Sequence, residues 1–254
     1  MIEDFLIQKQ APKLKFQRFE FKYIVEPFMV DKIIGQLLNY MDWDTYAINR
    51  PDKSYSVSSL YFDTANFTCY HQKMAGVRQR QKLRLRTYET DLEPKTPIFM
   101  EIKRRNQAIV FKDRLIVNYQ DCPGFISTGQ IEIDLKRGFS QERQTFKNFL
   151  WIKNRNCLLP KIMITYKRKP LMDKVNQGFR ITFDYDIKAY PANKLFFSDR
   201  TIEVFPQKCI MELKYNNSIP AWFHRIIQRY QLERVSFSKY CRSLEKVQTY
   251  YNYA

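Results

Sequence analysis

Three cations stand at alternate positions in the stretch KLRLRTYE, residues 82 to 89: Lys82, Arg84 and Arg86, with Leu83 and Leu85 between them. Side chains alternate between the two faces of a strand, so such a segment carries leucine on one side and a row of positive charge on the other. The pattern returns four times. RFEFKYIV (18–25) sets Arg18, Glu20 and Lys22 against Phe19, Phe21 and Tyr23, and IFMEIKRR (98–105) sets Phe99, Glu101, Lys103 and Arg105 against Met100, Ile102 and Arg104. FRITFDYDI (179–187) opposes Arg180, Thr182 and Asp184 to Phe179, Ile181 and Phe183, and KCIMELKYN (208–216) opposes Glu212 and Lys214 to Met211, Leu213 and Tyr215. In three of the five a glutamate precedes a lysine by two residues: Glu20–Lys22, Glu101–Lys103 and Glu212–Lys214. The guanidinium fork of arginine holds phosphate by paired hydrogen bonds, and lysine adds a point charge. Carboxylates set among them can hold a divalent metal that bridges to phosphate oxygens. A sheet with one face in water explains a single strand of this kind. Five, with arginine prominent, point to phosphate.

Composition agrees. The chain has 254 residues with 43 Lys and Arg against 26 Asp and Glu, a net charge of +17, which calls for a polyanionic partner unless the basic surface is merely scattered. Apolar residues make up 44% and aromatics 16%, ample for a core. Glycine is scarce at six, and neither GxxxxGK[ST] nor GxGxxG occurs, so side chains rather than glycine backbone must hold any phosphate. The five cysteines form no CxxC pair; they read as buried thiols of a reducing cytoplasm, not a disulfide frame or zinc site. The first residues show no secretory leader, and no apolar run approaches the roughly 20 residues that span a bilayer. A membrane, if one matters, is reached through an anchored protein partner. His71 and His224 lack partners at ligand spacing and are assigned structural roles.

The cationic strands need elements to hold them. An arm of about 15 residues precedes one domain over 16–254, in which strands and helices interleave. EPFMVDKIIGQLLNYM (26–41) carries a helical stripe after Pro27. A short helix over 65–76 stops at Gly76, with Asp63 as its cap, and further helices cover 141–153, the segment after Pro220, and 236–251. About eight or nine strands argue for an α+β protein built on one antiparallel sheet or barrel. Helices need an apolar surface to cover, so the leucine faces are expected outside beneath them and the cations inside. An eight-stranded barrel has an interior wide enough for one small ligand. Burying so many cations demands water or an anionic guest, hence a wet, open-ended tunnel.

The strands resemble, in order and wording, those of the triphosphate tunnel metalloenzyme superfamily, and more closely the VTC domain, the polyphosphate polymerase module of the vacuolar transporter chaperone complex. The resemblance rests on FEFKYIV (19–25), SSLYFDT (58–64), KLRLRTY (82–88), FMEIKRR (99–105), YKR (166–168), RITFD (180–184), MELKY (211–215) and FSKYCRS (237–243). It implies an eight-stranded tunnel with helices on the outside, and transfer of the ATP γ-phosphate to a growing polyphosphate chain with Mn²⁺ or Mg²⁺, releasing ADP. By motif it makes Lys22, Arg84, Arg86, Lys103, Arg168, Arg180 and Lys239 phosphate ligands, with Ser238 assisting and Lys112 and Lys214 as further contacts. Arg84, Arg86, Lys103 and Lys239 carry the catalytic roles. Glu212 is implied as the principal metal ligand and Glu101 as a second acidic position. Asp184 is read as a buffer for Arg180. Arg18 replaces the first glutamate of the ExExK opening of many hydrolytic tunnel enzymes, which favours the polymerase. A triphosphatase using the same residues and a non-catalytic binder of polyphosphate or RNA remain alternatives, although no RNP-like or KH-like motif occurs and no specific nucleic acid is expected.

Overall fold

The computed structural model describes residues 19–106, 109–128, 140–175, 178–216 and 218–253; the expected N-terminal arm lies outside them. In chain order the elements are β1 (Phe19–Val25), α1 (Pro27–Leu37), β2 (Met41–Trp43), β3 (Tyr55–Asp63), α2 (Thr68–Met74), β4 (Gln79–Thr87), β5 (Pro97–Asn106), β6 (Ile109–Asn118), α3 (Cys122–Thr128), α4 (Ser140–Arg155), β7 (Leu159–Asp173), β8 (Arg180–Pro191), β9 (Ile202–Glu203), β10 (Cys209–Tyr215), α5 (Ala221–Arg229) and α6 (Lys239–Tyr253). The ten strands form one antiparallel sheet, with β1-β10-β8-β7-β3-β4-β5-β6 as its path and the short β2 and β9 added on β7 and β8. Eight long strands are thus present as expected. No ladder joins β6 back to β1 among the described residues. The sheet nevertheless curls strongly: Lys103 Nζ on β5 donates to Glu20 Oε2 on β1 at 3.0 Å, although five strands separate β1 from β5 along the path.

Alternation sorts the two faces as the sequence requires. Leu83 and Leu85 on β4, with Ile98, Met100 and Ile102 on β5, are buried against Phe125 of α3 and Phe146, Phe149 and Ile152 of α4. Val30, Ile33, Ile34 and Leu37 of α1 pack in the same way with Ile181, Phe183, Met211 and Leu213 of β8 and β10. The convex face is therefore apolar and covered by helices.

The last helix departs from the expectation that all helices lie outside. Tyr240, Cys241, Leu244 and Val247 of α6 pack with Val57, Tyr61, Ile162, Ile164, Tyr166 and Ile187, and Tyr61, Tyr166 and Tyr240 also line the internal cavity described below. One part of the concave face is thus apolar, and α6 is seated on it. A register shift between Thr165 and Lys167 on β7, opposite a β8 segment with Asp186 at φ 52°, is the local irregularity beside this apolar patch. α2 ends as expected: Gly76 follows it at φ 69°, a conformation that favours glycine. Asp63 caps its N-terminus, Oδ1 accepting from Cys69 N at 2.8 Å and Oδ2 from Tyr70 N at 3.1 Å. All five cysteines are free, and four are buried. No helix among the described residues is long and apolar enough to cross a membrane.

Candidate functional site

The concave face encloses a cavity of about 460 Å³. Twelve lysines and arginines line it, with two carboxylates, Glu20 and Glu212. Eight of the ten phosphate ligands expected from sequence meet here: Lys22, Arg84, Arg86, Lys103, Arg168, Lys214, Ser238 and Lys239. They come from β1, β4, β5, β7, β10 and the segment entering α6, so the curled sheet, not any local motif, assembles them.

The cations are held by a shell of acids. Arg168 donates to Asp184 Oδ1 and Oδ2 at 2.6 and 2.8 Å, and Lys239 donates to Oδ2 of the same carboxylate at 2.5 Å. Asp184 is fully buried; burial pushes its pKa up, but Arg168 and Lys239 outweigh burial and hold it below the ordinary value. Glu101, also fully buried, accepts from Arg84 at 2.5 Å and from Arg114 at 2.7 Å, and pairs with Lys112 at 2.6 Å. Burial acts against its charge too, yet Arg84, Arg86, Lys112 and Arg114 keep it ionised. Lys22 donates to the Phe237 carbonyl at 2.9 Å and pairs with Glu20 at 3.1 Å, while Lys214 pairs with Glu212 at 2.8 Å.

Three expected residues stand elsewhere. Lys112 and Glu101 share the concave face but lie outside the cavity lining, and they pair with each other. Burial, with repulsion from Arg84, Arg86 and Arg114, lowers Lys112 to about 6 even though Glu101 opposes the shift. Arg180 is outside the lining and pairs with Asp44 at 3.0 Å, so Asp184 buffers Arg168 and Lys239 rather than Arg180. The cause is register: Asp184 faces Arg168 directly across the β7–β8 ladder.

Sequence reading gives Tyr166 no role of its own, and offers Tyr61 only as a residue that could line a tunnel mouth; both border the cavity. The Tyr166 hydroxyl accepts from Arg86 Nη2 at 3.4 Å and from Arg168 Nη2 at 3.3 Å, tying two buried guanidiniums together. The Tyr61 hydroxyl accepts from Arg84 Nη1 at 2.9 Å; burial would raise its pKa, but Arg84 and Arg86 bring it down to about 8. Lys73, Arg80, Lys82, Arg105 and Arg234 complete the cationic lining. The alternation that exposed Arg84 and Arg86 also marked Arg80 and Lys82, whereas nothing local marked Lys73 or Arg234.

The donor set suits a divalent cation in one place, where Glu20 and Glu212 share the cavity. Burial and the neighbouring Glu212 raise the proton affinity of Glu20, but Lys103, Lys22 and Lys214 outweigh them and keep it charged. Burial acts against Glu212 as well, and Lys214, Lys22, Lys239 and Arg168 overcome it. No cluster of three or more His, Cys, Asp or Glu side chains forms a ligand cage among the described residues. Mg²⁺ and Mn²⁺ at phosphate sites are commonly held by one or two carboxylates with phosphates and water completing the shell, so the pair fits.

The VTC domain family matches residues 17–248. The chain belongs to that family. Two curated relatives are subunit 4 of the vacuolar transporter chaperone complex from Trypanosoma brucei brucei, 24% identical, and from Trypanosoma cruzi, 23% identical, each aligned over 90% of this chain. The chain spans about a third of their length, 34%. Among solved structures, a candidate adenylate cyclase of Bacillus halodurans has the same fold, with a TM-score of 0.54, 13% identity, and coverage of 87% of this VTC domain chain and 94% of the other.

Proposed function

We propose that this VTC domain is a metal-dependent polyphosphate polymerase that moves the γ-phosphate of ATP onto a polyphosphate chain inside the basic cavity. The observation that carries the reading is the convergence of Arg84, Arg86, Arg168, Lys22, Lys103 and Lys239 on one cavity that also presents Glu212 and Glu20. Phosphoryl transfer needs positioning and charge stabilisation more than covalent chemistry, and this wall supplies both. Arg84, Arg86 and Arg168 grip phosphate oxygens while Lys22, Lys103 and Lys239 offset the charge of the transferred group. The terminal oxygen of a polyphosphate chain forms the new bond to Pγ. The bond from Pγ to the β–γ bridging oxygen breaks, and that oxygen leaves on ADP with the electron pair. The attacking oxygen is already ionised near neutral pH, so no general base is required. Glu212, with Glu20 in the same cavity, would hold Mn²⁺ or Mg²⁺, and the metal would supply charge neutralisation for the phosphates. Glu101 serves as a brace for Arg84, Lys112 and Arg114. The curled sheet acts as the tunnel wall, and membership of a chaperone-type complex, as in the named relatives, supplies any membrane-anchored partner.

Incubation with ATP and Mn²⁺ tests this reading. Long acid-labile phosphate polymer with one ADP per residue added is the expected product. Free phosphate without polymer makes the chain a triphosphatase, and no ATP consumption makes it a binder.

A further inference from the structure

The start of α6 is tied to a point outside the cavity. Asp63, at the end of β3, is fully buried. Three amides close by in the chain donate to its carboxylate: Thr64 N and Cys69 N to Oδ1, each at 2.8 Å, and Tyr70 N to Oδ2 at 3.1 Å. A further donor comes from 177 positions away, the Tyr240 hydroxyl in the first turn of α6, which bonds Oδ2. The amides already meet the need of α2 for a cap, so the tyrosine is an addition to it. Burial and the neighbouring carboxylate push the Tyr240 pKa up, and the hydroxyl stays a donor. The ring of the same residue borders the cavity, with Lys82 Nζ 4.2 Å from its centre and the Tyr61 ring centre 5.4 Å away.

We propose that Asp63 and Tyr240 are positioning residues: their hydrogen bond sets the first turn of α6 and so places Lys239, one residue earlier in the chain, in the cavity. The inference rests on the polymerase reading and adds to it a device that acts through Lys239. The first turn is the least secured part of a helix, because its amides have no carbonyl partners one turn back. Here the Ser238 hydroxyl caps it with a long bond, accepting from Cys241 N at 3.4 Å. A helix turns about 100° per residue, so rotation of that turn swings Lys239 away from the wall. With the Tyr240 hydroxyl fixed on Asp63, rotation is blocked, and Lys239 Nζ stays 2.5 Å from Asp184 Oδ2 and 4.9 Å from the Tyr166 ring centre. A displacement of about 1 Å at a reacting group can cost about a hundredfold in rate, which gives a bond at this place its leverage. A second α2–α6 bond, from the Tyr70 hydroxyl to Glu245 Oε1 at 3.2 Å, lies beyond the first turn and lacks that leverage.

The test is a double-mutant cycle read by calorimetric binding of tripolyphosphate to the wild-type chain, Tyr240→Phe, Lys239→Gln and the double variant, with Tyr70→Phe as the control. Tyr240→Phe keeps the buried ring and leaves Asp63 its three amide donors, so the chain still folds. It should lose about tenfold in affinity, the scale of one charge-assisted hydrogen bond, and Lys239→Gln should lose at least as much. The double variant should bind within about twofold of Lys239→Gln, because the tyrosine acts through that lysine. Tyr70→Phe should stay within about twofold of wild type. A hydroxyl that merely stabilises the fold gives losses that multiply in the double variant, or no loss at all, and either result overturns the positioning role. An equal loss in Tyr70→Phe overturns it as well, since any α2–α6 bond would then serve. Wild type that does not bind tripolyphosphate refutes the polymerase reading itself, which binding with multiplying losses leaves standing.

Discussion

Asp184→Asn tests whether buried acids organise the cavity. The side chain is fully buried and holds both a guanidinium and an ammonium, at 2.6 and 2.8 Å to Arg168 and 2.5 Å to Lys239. The amide keeps the shape and removes the charge, leaving two cations facing each other. Breaking a buried ion pair from one side costs about 3–5 kcal/mol. The lower end applies here, because Arg168 and Lys239 also border the cavity and water reaches them. For a chain of this size about 3 kcal/mol lowers Tm by roughly 6–12 °C. The pH dependence has a definite sign. The folded carboxyl titrates below its ordinary value, so its contribution is present above about pH 4 and is lost as pH falls through the folded value. The gap between wild type and variant is therefore full at neutral pH and closes in acid. Tripolyphosphate replaces the missing anion, so it should raise the variant's Tm more than that of wild type, while turnover falls because Lys239 loses its anchor. Thermal melts with and without tripolyphosphate, repeated from pH 7 to pH 3, give the answer. An unchanged Tm at neutral pH, or an identical response to tripolyphosphate, refutes the reasoning.

Two further substitutions separate wall from brace. Glu212→Gln should abolish Mn²⁺ binding followed by electron paramagnetic resonance, whereas Glu101→Gln should lower Tm and leave Mn²⁺ affinity within about twofold, since Arg84, Lys112 and Arg114 occupy that carboxylate; Mn²⁺ lost in Glu101→Gln returns Glu101 to the metal. Arg180→Ala should change tripolyphosphate affinity less than about twofold, because Asp44 holds the guanidinium away from the cavity; a tenfold loss places Arg180 among the ligands after all.

Much of this site is written in alternation. The period of two put Lys82, Arg84 and Arg86 on one face of β4 and Leu83 and Leu85 on the other, and it made the same partition for β1, β5, β8 and β10. It also carried the inference that leucine lies beneath helices and charge lies inside, because only an apolar face can be covered without stranding ions. Alternation names a face, not a neighbour. Asp184 and Arg180 share a face of one strand and so looked like partners, but side chains four residues apart stand about 13 Å from each other. The true partner of Asp184 is Arg168, brought opposite by the β7–β8 register.

The same limit hid α6. Its apolar stripe told that it must pack, and not on which side of the sheet; the patch of Val57, Ile162 and Ile164 on the concave face decided that. The chain by itself determined the fold class, the sidedness of its strands and the cationic character of one face, since these follow from residue type and spacing. Only the folded sheet decided which charges meet. Contacts such as Lys103 with Glu20 and Lys239 with Asp184 join residues 83 and 55 positions apart, and curvature and register fix them, which no local pattern encodes.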